Sequence, residues 1–372
     1  MVTAELIRRG ARRYRDEPAI LCGDETLTFC EVDELANRIA HVLVERGVDR
    51  VGLLLGNGLH SVPMDFACAK AGIARVPLNP RLAALEQQAI LAAAGAELLV
   101  ADTDTSLDAE VLPLGELLER ARRAPTDEPP VELEPETTAL LIATSGTTGK
   151  LKLVRHTQAS YAAVAANILA NLLDPKPGEV MLHAASLIHA SGTFVLPYWL
   201  RGGASAILPG FEPTGYLDAL ERHRATAINV VPTMLGALLQ EPPRELPTLQ
   251  TLVYGASPTP PALLRRAIDR FGPTSSSTTA RPRRRSASAC FDPRSTTATD
   301  CSHAVGRRST ARCGSTGRTA RSSCARPSRR RATTATTSST ARRSFPTAGC
   351  GRATSAGSTT RASSISLTAR RT

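Results

Sequence analysis

A strand and a loop meet at residues 139–152, which read Ala-Leu-Leu-Ile-Ala-Thr-Ser-Gly-Thr-Thr-Gly-Lys-Leu-Lys. The apolar residues 140–143 are typical of a buried parallel strand. In the loop that follows, Gly146 and Gly149 let the backbone turn with several amide groups pointing into one cavity. Hydroxyl groups and positive charges that suit anionic oxygens come from Thr144, Ser145, Thr147, Thr148, Lys150 and Lys152. The stretch therefore predicts a binding site for a polyphosphate.

The spacing of this loop differs from that of a P-loop. A P-loop has four residues between its glycines and a serine or threonine after its lysine. Here only Thr147 and Thr148 separate the glycines, and Leu151 follows Lys150. The alternative without a function is a solvated turn between a strand and a helix. The preceding strand and the two lysines favour the phosphate site over that alternative.

On both sides of the loop, apolar strand patterns alternate with amphipathic helix patterns. Before it, strands are predicted at residues 51–55, 74–78, 97–101 and 139–143, and helices at 32–44, 61–71 and 85–94. After it, strands are predicted at 204–208, 227–231 and 251–254, and helices at 158–173 and 217–223. This alternation predicts an α/β fold with two doubly wound sublobes, each built on a parallel sheet.

Three segments are predicted from the changes in composition along the chain. Residues 1–136 form the first sublobe, and residues 137–273 form the second, which carries the phosphate loop. Residues 125–136, with four prolines and five acidic residues, are expected to be an exposed connection between them. Residues 274–372 form a tail of different composition.

The tail accounts for the basic charge of the whole chain. The 372 residues carry a formal net charge of +11, but the tail alone holds 20 arginines against two acidic residues, so residues 1–273 are net acidic. Alanine, arginine, serine and threonine make up 76 of the 99 tail residues. Such a stretch buries too little apolar surface to offset the entropy of ordering it, so we expect the tail to be disordered.

The remaining composition argues against a secreted or membrane-spanning protein. The eight cysteines contain no CxxC pair and no metal-ligand spacing. Charged residues interrupt the first ten positions, so no secretory signal is predicted, and no apolar run reaches transmembrane length. We expect a cytoplasmic protein.

The phosphate loop resembles that of the adenylate-forming, AMP-dependent synthetase and ligase superfamily, which includes acyl-CoA synthetases, luciferases and peptide-synthetase adenylation domains. Their loop has the form [ST]-S-G-[ST]-T-G-x-P-K-G. This chain departs from it at Leu151, where proline is usual, and at Leu153, where glycine is usual. Lys152 falls on the phosphate-binding lysine of the family.

Further segments resemble the family in the family's own order, over about residues 14–273. Residues 187–192 resemble the segment whose histidine, here His189, borders the acyl group. Residues 254–258 resemble the loop that lies against adenine, which places Gly255, Ala256 and Ser257 beside that ring. Taken alone, His189 could be a buried core histidine, and residues 254–258 could be an ordinary Gly/Pro turn.

The resemblance implies an incomplete N-terminal domain of an acyl-CoA synthetase. It implies that ATP activates a carboxylic acid, and more specifically a fatty acid, to an acyl-adenylate. The acyl group is then transferred to coenzyme A. Lys152 and His189 are the implied catalytic residues, and ATP, Mg²⁺ and coenzyme A the implied cofactors. No metal ligand is assigned, no specific nucleic-acid partner is expected, and a carrier-protein thiol stays open as the acceptor.

Motifs that the family places after residue 273 are absent from the tail as written. They are an aromatic-Gly-x-Thr-Glu motif, a Thr-Gly-Asp motif, an Asp-Arg hinge and a C-terminal catalytic lysine. Codons for residues 275–284 can be chosen so that reading one base earlier gives Phe-Val-Gln-Tyr-Tyr-Gly-Gln-Thr-Glu-Ala. The same shift over residues 347–370 permits Thr-Gly-Asp and Asp-Arg. The tail is therefore interpreted as a frameshifted product.

Two alternatives remain beside a truncated, inactive synthetase. The chain could be a non-catalytic nucleotide-binding remnant. It could also bind nucleic acid through the phosphate contacts of its arginine-rich tail. Against the second alternative, the tail has only Phe291 and Phe345 as aromatic residues on which bases could stack.

Overall fold

The computed structural model describes residues 1–144 and 151–272 with their side chains, and the backbone of residues 275–281 and 284–290. Residues 145–150 of the phosphate loop and 291–372 of the tail lie outside the described residues. The helices are α1 (Thr3–Tyr14), α2 (Phe29–Glu45), α3 (Ser61–Ala71), α4 (Ala84–Ala94), α5 (Leu114–Ala121), α6 (Gln158–Asn171), α7 (Val195–Arg201), α8 (Pro213–Arg222), α9 (Pro232–Leu238) and α10 (Pro261–Phe271), with a 3-10 helix at Ala190–Phe194. The strands are β1 (Pro18–Cys22), β2 (Glu25–Thr28), β3 (Arg50–Leu54), β4 (Ala74–Pro77), β5 (Leu98–Ala101), β6 (Glu110–Pro113), β7 (Thr138–Thr144), β8 (Lys152–Thr157), β9 (Val180–His183), β10 (Ala204–Ile207), β11 (Ala227–Val230), β12 (Thr251–Gly255), β13 (Ser275–Arg281) and β14 (Arg284–Cys290).

The strands of the described residues form two sheets. The larger sheet has the order β14-β13-β12-β11-β9-β10-β1-β2, and the smaller sheet has the order β6-β5-β3-β4-β7-β8. The interior pairs are parallel, for example β3 with β4 and β9 with β10, which confirms the predicted α/β class. Antiparallel pairs lie at the edges, namely β1–β2, β7–β8 and β13–β14, so both sheets are mixed.

The strands do not divide between the sheets at residue 136, where the sequence predicts a boundary between sublobes. β1, from the first 136 residues, pairs with β10 of the larger sheet, and β7, from the second segment, pairs with β4 of the smaller sheet. Strands between residues 50 and 157 therefore build the smaller sheet, and the segments before and after them build the larger one.

Backbone pairing also extends the larger sheet into the tail. The backbone of β13 pairs in parallel with β12, and β14 pairs antiparallel with β13. The sequence predicts disorder here because these residues offer little apolar surface. Strand pairing needs only backbone N–H and C=O groups, which every residue except proline supplies in full.

Several short elements have no counterpart in the sequence prediction. Residues 152–157 are predicted in no element, yet they form β8 at the edge of the smaller sheet, before the predicted helix that becomes α6. Edge strands are exposed on one side, and β8 mixes polar with apolar residues, so a search for continuous apolar runs misses it. β2 is likewise an edge strand with polar residues, and the β1–β2 hairpin to which it belongs turns at Gly23 with φ 60°.

Local sequence signals explain where the main helices begin and end. Thr28 starts α2 by accepting a hydrogen bond from the Glu31 backbone N–H at 3.2 Å, and the Glu31 carboxylate accepts from the Thr28 N–H at 2.8 Å. Thr157 caps α6 in the same way with Ser160. Gly72 and Gly95 end α3 and α4 in the left-handed conformation, with φ of 69° and 61°.

An aromatic cluster around Trp199 packs α7 against α1, α2 and α3. The Trp199 ring lies 4.3 Å from Phe29 of α2 and 4.9 Å from Phe66 of α3, measured between ring centroids. Its indole Nε1 donates a hydrogen bond to the Ile7 carbonyl of α1 at 2.8 Å. A Cβ atom on Gly10 of α1 would lie 2.2 Å from that nitrogen, so the close approach of α1 to α7 requires glycine.

A buried lysine anchors the connection at residues 125–136 to the first helices. The Lys70 ammonium group lies 2.6 Å from Asp33 Oδ1, 2.6 Å from Asn37 Oδ1 and 3.3 Å from Glu128 Oε1. Asn37 Nδ2 donates to the Thr126 carbonyl at 2.6 Å. A buried charge is costly unless it is paired, so the connection supplies a partner that Lys70 needs.

A second buried polar network lies on the larger sheet. His183, at the end of β9, is fully buried, and its Nδ1 lies 2.9 Å from Ser191 Oγ, which donates to Asn229 Oδ1 at 3.2 Å. Since the Ser191 hydroxyl proton goes to Asn229, Ser191 accepts from a protonated Nδ1 of His183. Burial lowers the pKa of His183 to about 3, so the imidazole is neutral in the folded protein.

Replacement of Gly10 by alanine tests the packing of α1 on Trp199. We expect Gly10→Ala to lower the free energy of unfolding by about 1–3 kcal/mol, because the added methyl group overlaps the indole. Urea unfolding followed by the fluorescence of Trp199, the single tryptophan, measures this change. The matched control is Gly115→Ala in the first turn of α5, where the new methyl meets nothing within 4 Å. It should raise stability by about 0.5–1 kcal/mol. Equal effects from the two substitutions would contradict the close contact.

Acid should destabilise the protein through His183. The pKa is lower in the folded protein than in the unfolded chain, so the unfolded chain binds the proton first and stability falls as the pH drops below about 6.5. Between pH 6.5 and 5 this residue should cost about 2 kcal/mol of unfolding free energy. Urea titrations at several pH values should show a shallower pH dependence for His183→Gln than for the unaltered protein. Parallel curves would rule out this linkage.

Candidate functional site

The β7–β8 hairpin carries the residues that flank the predicted phosphate loop. Thr144, the last residue of β7, pairs directly with Lys152, the first residue of β8, and Thr144 Oγ1 donates to the Lys152 carbonyl at 3.3 Å. The Lys152 side chain is exposed. The pairing therefore holds Thr144 and Lys152, the described residues on either side of this segment, next to each other. Ser145, Gly146, Thr147, Thr148 and Gly149 lie outside the described residues and stay predictions.

His189 stands on a tight turn between β9 and α7. We call residues 185–194 the His189 turn. Backbone bonds run from the His189 N–H to the Ser186 carbonyl and from the Gly192 N–H to the His189 carbonyl, both at 3.2 Å. A Cβ atom on Gly192 would lie 2.0 Å from the Leu187 carbonyl oxygen, so the turn closes only with glycine there.

The alternative that His189 is a buried core histidine does not hold. His189 is exposed at the surface of its turn, and the buried, hydrogen-bonded histidine of this region is His183. The partial desolvation that His189 does experience lowers its pKa below the usual value. A neutral imidazole at neutral pH can accept or donate a hydrogen bond to a ligand.

The loop after β12 has a strained backbone. Ala256 has φ of 69°, in the left-handed region that residues other than glycine rarely adopt. Gly255 ends β12, and Ala256 and Ser257 are exposed beyond it. Strained loop residues are enriched at ligand sites, so this geometry is compatible with the predicted adenine loop without assigning it.

Parallel strands bring two of the predicted segments to one edge. β9, β11 and β12 are neighbours in the larger sheet, and the His189 turn and the loop at residues 255–257 both follow the carboxyl ends of these strands. Ligands of open α/β sheets bind outside the carboxyl ends of the strands. The phosphate loop follows β7, a strand of the smaller sheet.

A pocket beside the His189 turn contains polar residues that sequence reasoning missed. Its lining includes Asn57 and Ser61 after β3, the ion pair of the partly buried Asp65 with the buried Arg75, and apolar residues such as Leu187. Burial raises the pKa of Asp65, which the Arg75 guanidinium partly offsets. The available signal is a charged residue within each of two mostly apolar segments, Asp65 in α3 and Arg75 in β4.

Among the described residues, no group of three or more His, Cys, Asp or Glu side chains could hold a metal ion. No residue of this part of the chain is therefore assigned as a ligand of the implied Mg²⁺. No helix in the same residues has the length and apolarity that a membrane crossing requires.

Comparison with known proteins agrees with the motifs and the fold. A family model described as AMP-binding enzyme matches residues 7–278. A feruloyl-CoA synthase from Amycolatopsis sp is 35% identical over 279 residues, which cover 70% of this chain and 56% of that protein. A long-chain-fatty-acid–CoA ligase from Mycobacterium tuberculosis (strain ATCC 25618 / H37Rv) is 30% identical, over 65% of this chain and 52% of that protein. The chain spans about half the length of the curated relatives it matches.

Solved structures share the fold. The inhibitor-bound N-terminal domain of FACL13 from Mycobacterium tuberculosis superposes with a TM-score of 0.69 at 26% identity, covering 75% of each chain. The o-succinylbenzoate CoA synthetase of Bacillus subtilis, in complex with the acyl-adenylate intermediate OSB-AMP, gives a TM-score of 0.68 at 26% identity. That match covers 74% of this chain and 58% of the other. The strand-flanked loop, the order of the motifs and these matches lead to one conclusion: the chain belongs to the family of AMP-binding enzymes.

Proposed function

We propose that the enzyme to which this chain corresponds activates a carboxylic acid with ATP and transfers the acyl group to coenzyme A. In the first step a carboxylate oxygen attacks the α-phosphorus of ATP, and pyrophosphate leaves. In the second step the thiol sulfur attacks the acyl carbonyl carbon and loses its proton, and AMP leaves. The observation that carries the proposal is the β7–β8 hairpin, which closes the predicted phosphate loop with Lys152 at its end.

The phosphate loop would act on the charge that develops during the first step. Negative charge builds on the phosphate oxygens as the carboxylate attacks, and fixed donors aimed at that charge lower the barrier. Thr144, Ser145, Thr147 and Thr148 would supply hydroxyl donors, Gly146 and Gly149 would expose backbone N–H groups, and Lys152 would supply a positive charge. No step is assigned to Mg²⁺, because the described residues offer no ligand cluster for it.

The other predicted residues would bind the remainder of the adenylate. Gly255, Ala256 and Ser257 would flank adenine at the carboxyl end of β12. His189 would border the acyl group, where its lowered pKa favours the neutral imidazole. Because β9 and β12 lie in one sheet with β11 between them, the two groups can contact opposite ends of one ligand.

The acid is proposed at the level of its class. The relatives carry names that specify feruloyl and long-chain fatty acyl groups, and we retain a fatty acid as the first candidate. One relative, from Streptomyces coeruleorubidus, is named a fatty acid–[acyl-carrier-protein] ligase, so a carrier-protein thiol is the second candidate acceptor. A cytoplasmic location stays a prediction.

We further propose that this chain is inactive as written and that its tail arises from a shifted reading frame. In support, the family match ends at residue 278, close to the change in composition at residue 274. The family motifs expected beyond that point are absent from the written sequence. Sequencing the gene across the codons for residues 271–278 tests the frame, and an intact frame there would refute it.

Removal of Lys152 should weaken ATP binding by the full chain. We expect Lys152→Ala to raise the dissociation constant for ATP by about 10-fold to 100-fold, since a charged hydrogen-bond donor to phosphate is lost. Isothermal titration calorimetry measures the constant. The matched control is Lys176→Ala, which removes an exposed lysine whose ion-pair partner is Asp174. The same affinity loss in both variants, or none in Lys152→Ala, would contradict the assignment.

Turnover by the chain as written should be absent. We expect no pyrophosphate release above background when the full chain is incubated with ATP, Mg²⁺ and acids that include octanoate, palmitate and ferulate. The physical reason is that the family's later motifs, which hold ribose and metal, are missing from the sequence. A coupled pyrophosphate assay gives the rate. ATP binding without turnover would match a nucleotide-binding remnant, whereas sustained turnover would show that the chain is active.

A further inference from the structure

We propose that Asn57 is a positioning residue that holds the His189 turn in the conformation that presents His189 to the ligand. The role in presenting a ligand rests on the function proposed above. Asn57 belongs to the loop between β3 and α3, beside the smaller sheet, whereas the His189 turn follows β9 of the larger sheet. The residue therefore joins the carboxyl ends of strands from two different sheets.

The Asn57 amide group makes three long-range hydrogen bonds. Its Nδ2 donates to the Ala185 carbonyl at 3.1 Å and to the Leu208 carbonyl, just after β10, at 3.2 Å. Its Oδ1 accepts from the Leu187 N–H at 3.0 Å. An amide has two N–H donors and one carbonyl acceptor, so a single side chain satisfies three backbone groups that are otherwise free of strand or helix pairing.

The loop that carries Asn57 is itself fixed on both sides of that residue. The Gly56 N–H donates to Asp102 Oδ2, beyond the end of β5, at 2.6 Å. The Gly58 N–H donates to Ser61 Oγ at 2.9 Å, and that hydroxyl donates to the Gly56 carbonyl at 3.2 Å. The backbone on both sides of Asn57 is thus held by hydrogen bonds. The side-chain bonds of Asn57 therefore fix the His189 turn relative to the smaller sheet.

The far end of the turn has its own anchor. Ser191 is bound to His183 and Asn229 of the larger sheet, as described above. His189 lies two residues after Leu187 and two residues before Ser191, so it stands midway between the two anchored positions. The anchor at Leu187 is reinforced because its carbonyl oxygen packs against Gly192. Loss of the Asn57 side chain would release the Leu187 end of the His189 turn and leave the Ser191 end in place.

Hydrogen exchange and NMR test this role in the full chain. In Asn57→Ala we expect amide exchange in peptides covering residues 185–194 to accelerate about tenfold or more, because bonds to that segment are lost. The pKa of His189, followed by its imidazole NMR signals, should rise toward the usual value as desolvation is relieved. Asn57→Asp keeps an acceptor for the Leu187 N–H but sets a carboxylate oxygen against the Ala185 and Leu208 carbonyls, so exchange in the same peptides should also accelerate. Peptides within β9 and α7 should not change.

The matched control is Asn79→Ala, in the connection that follows β4. The Asn79 Oδ1 accepts only a local bond from the Arg81 N–H at 3.0 Å among its described side-chain contacts. This substitution should leave exchange at residues 185–194 and the His189 signals unchanged. Unaltered exchange and unaltered His189 titration in both Asn57 variants would overturn the proposal. Both readouts are independent of turnover and of added ATP, so a protein that fails to bind ATP would contradict the proposed function and not this inference.

Discussion

The burial of Trp199 is the constraint on which the arrangement of the two sheets depends. Trp199 lies in α7, which directly follows the His189 turn, and its indole is enclosed by helices that precede and cover the smaller sheet. The hydrogen bond to the Ile7 carbonyl satisfies the one polar atom of the ring, so the residue is buried without an unpaired donor. Since α7 starts where the turn ends, the aromatic packing fixes one end of the segment that carries His189.

Polar contacts also hold these parts of the molecule together, in addition to the aromatic packing. Lys70 draws the connection at residues 125–136 onto the first helices, and Asn57 bonds the His189 turn to the loop after β3. These contacts join residues far apart in sequence and are buried or partly buried, where an unmade bond is expensive. The two sheets are therefore coupled by specific hydrogen bonds as well as by apolar surface.

Local sequence patterns predict the α/β class and the most clearly apolar strands. They do not predict contacts between residues far apart in the sequence. Residues 140–143 and 204–208 are predicted as strands because each is a short, mostly apolar run, and they coincide with β7 and with β10, which ends at Ile207. β9 and β8 were not assigned, because β9 has only four residues and ends in His183, whose burial depends on Ser191 and Asn229. At the candidate site, Lys152 and His189 are predicted through motif resemblance, and they stay predictions. Asn57, Asp65 and Arg75 could not be found, since their partners lie elsewhere in the chain or depend on the fold around them.

The left-handed backbone of Ala256 has a consequence for how this loop can change. Glycine adopts φ of 69° without the clash that a Cβ atom creates. Ala256→Gly is therefore the simplest substitution that would relieve this strain. Natural proteins are rarely at their stability optimum, so such gains often remain unused. Ala256 narrows the conformations open to the loop in the absence of ligand, because alanine has fewer alternatives than glycine. This narrowing comes with strain, because alanine favours backbone conformations with negative φ over the one observed here.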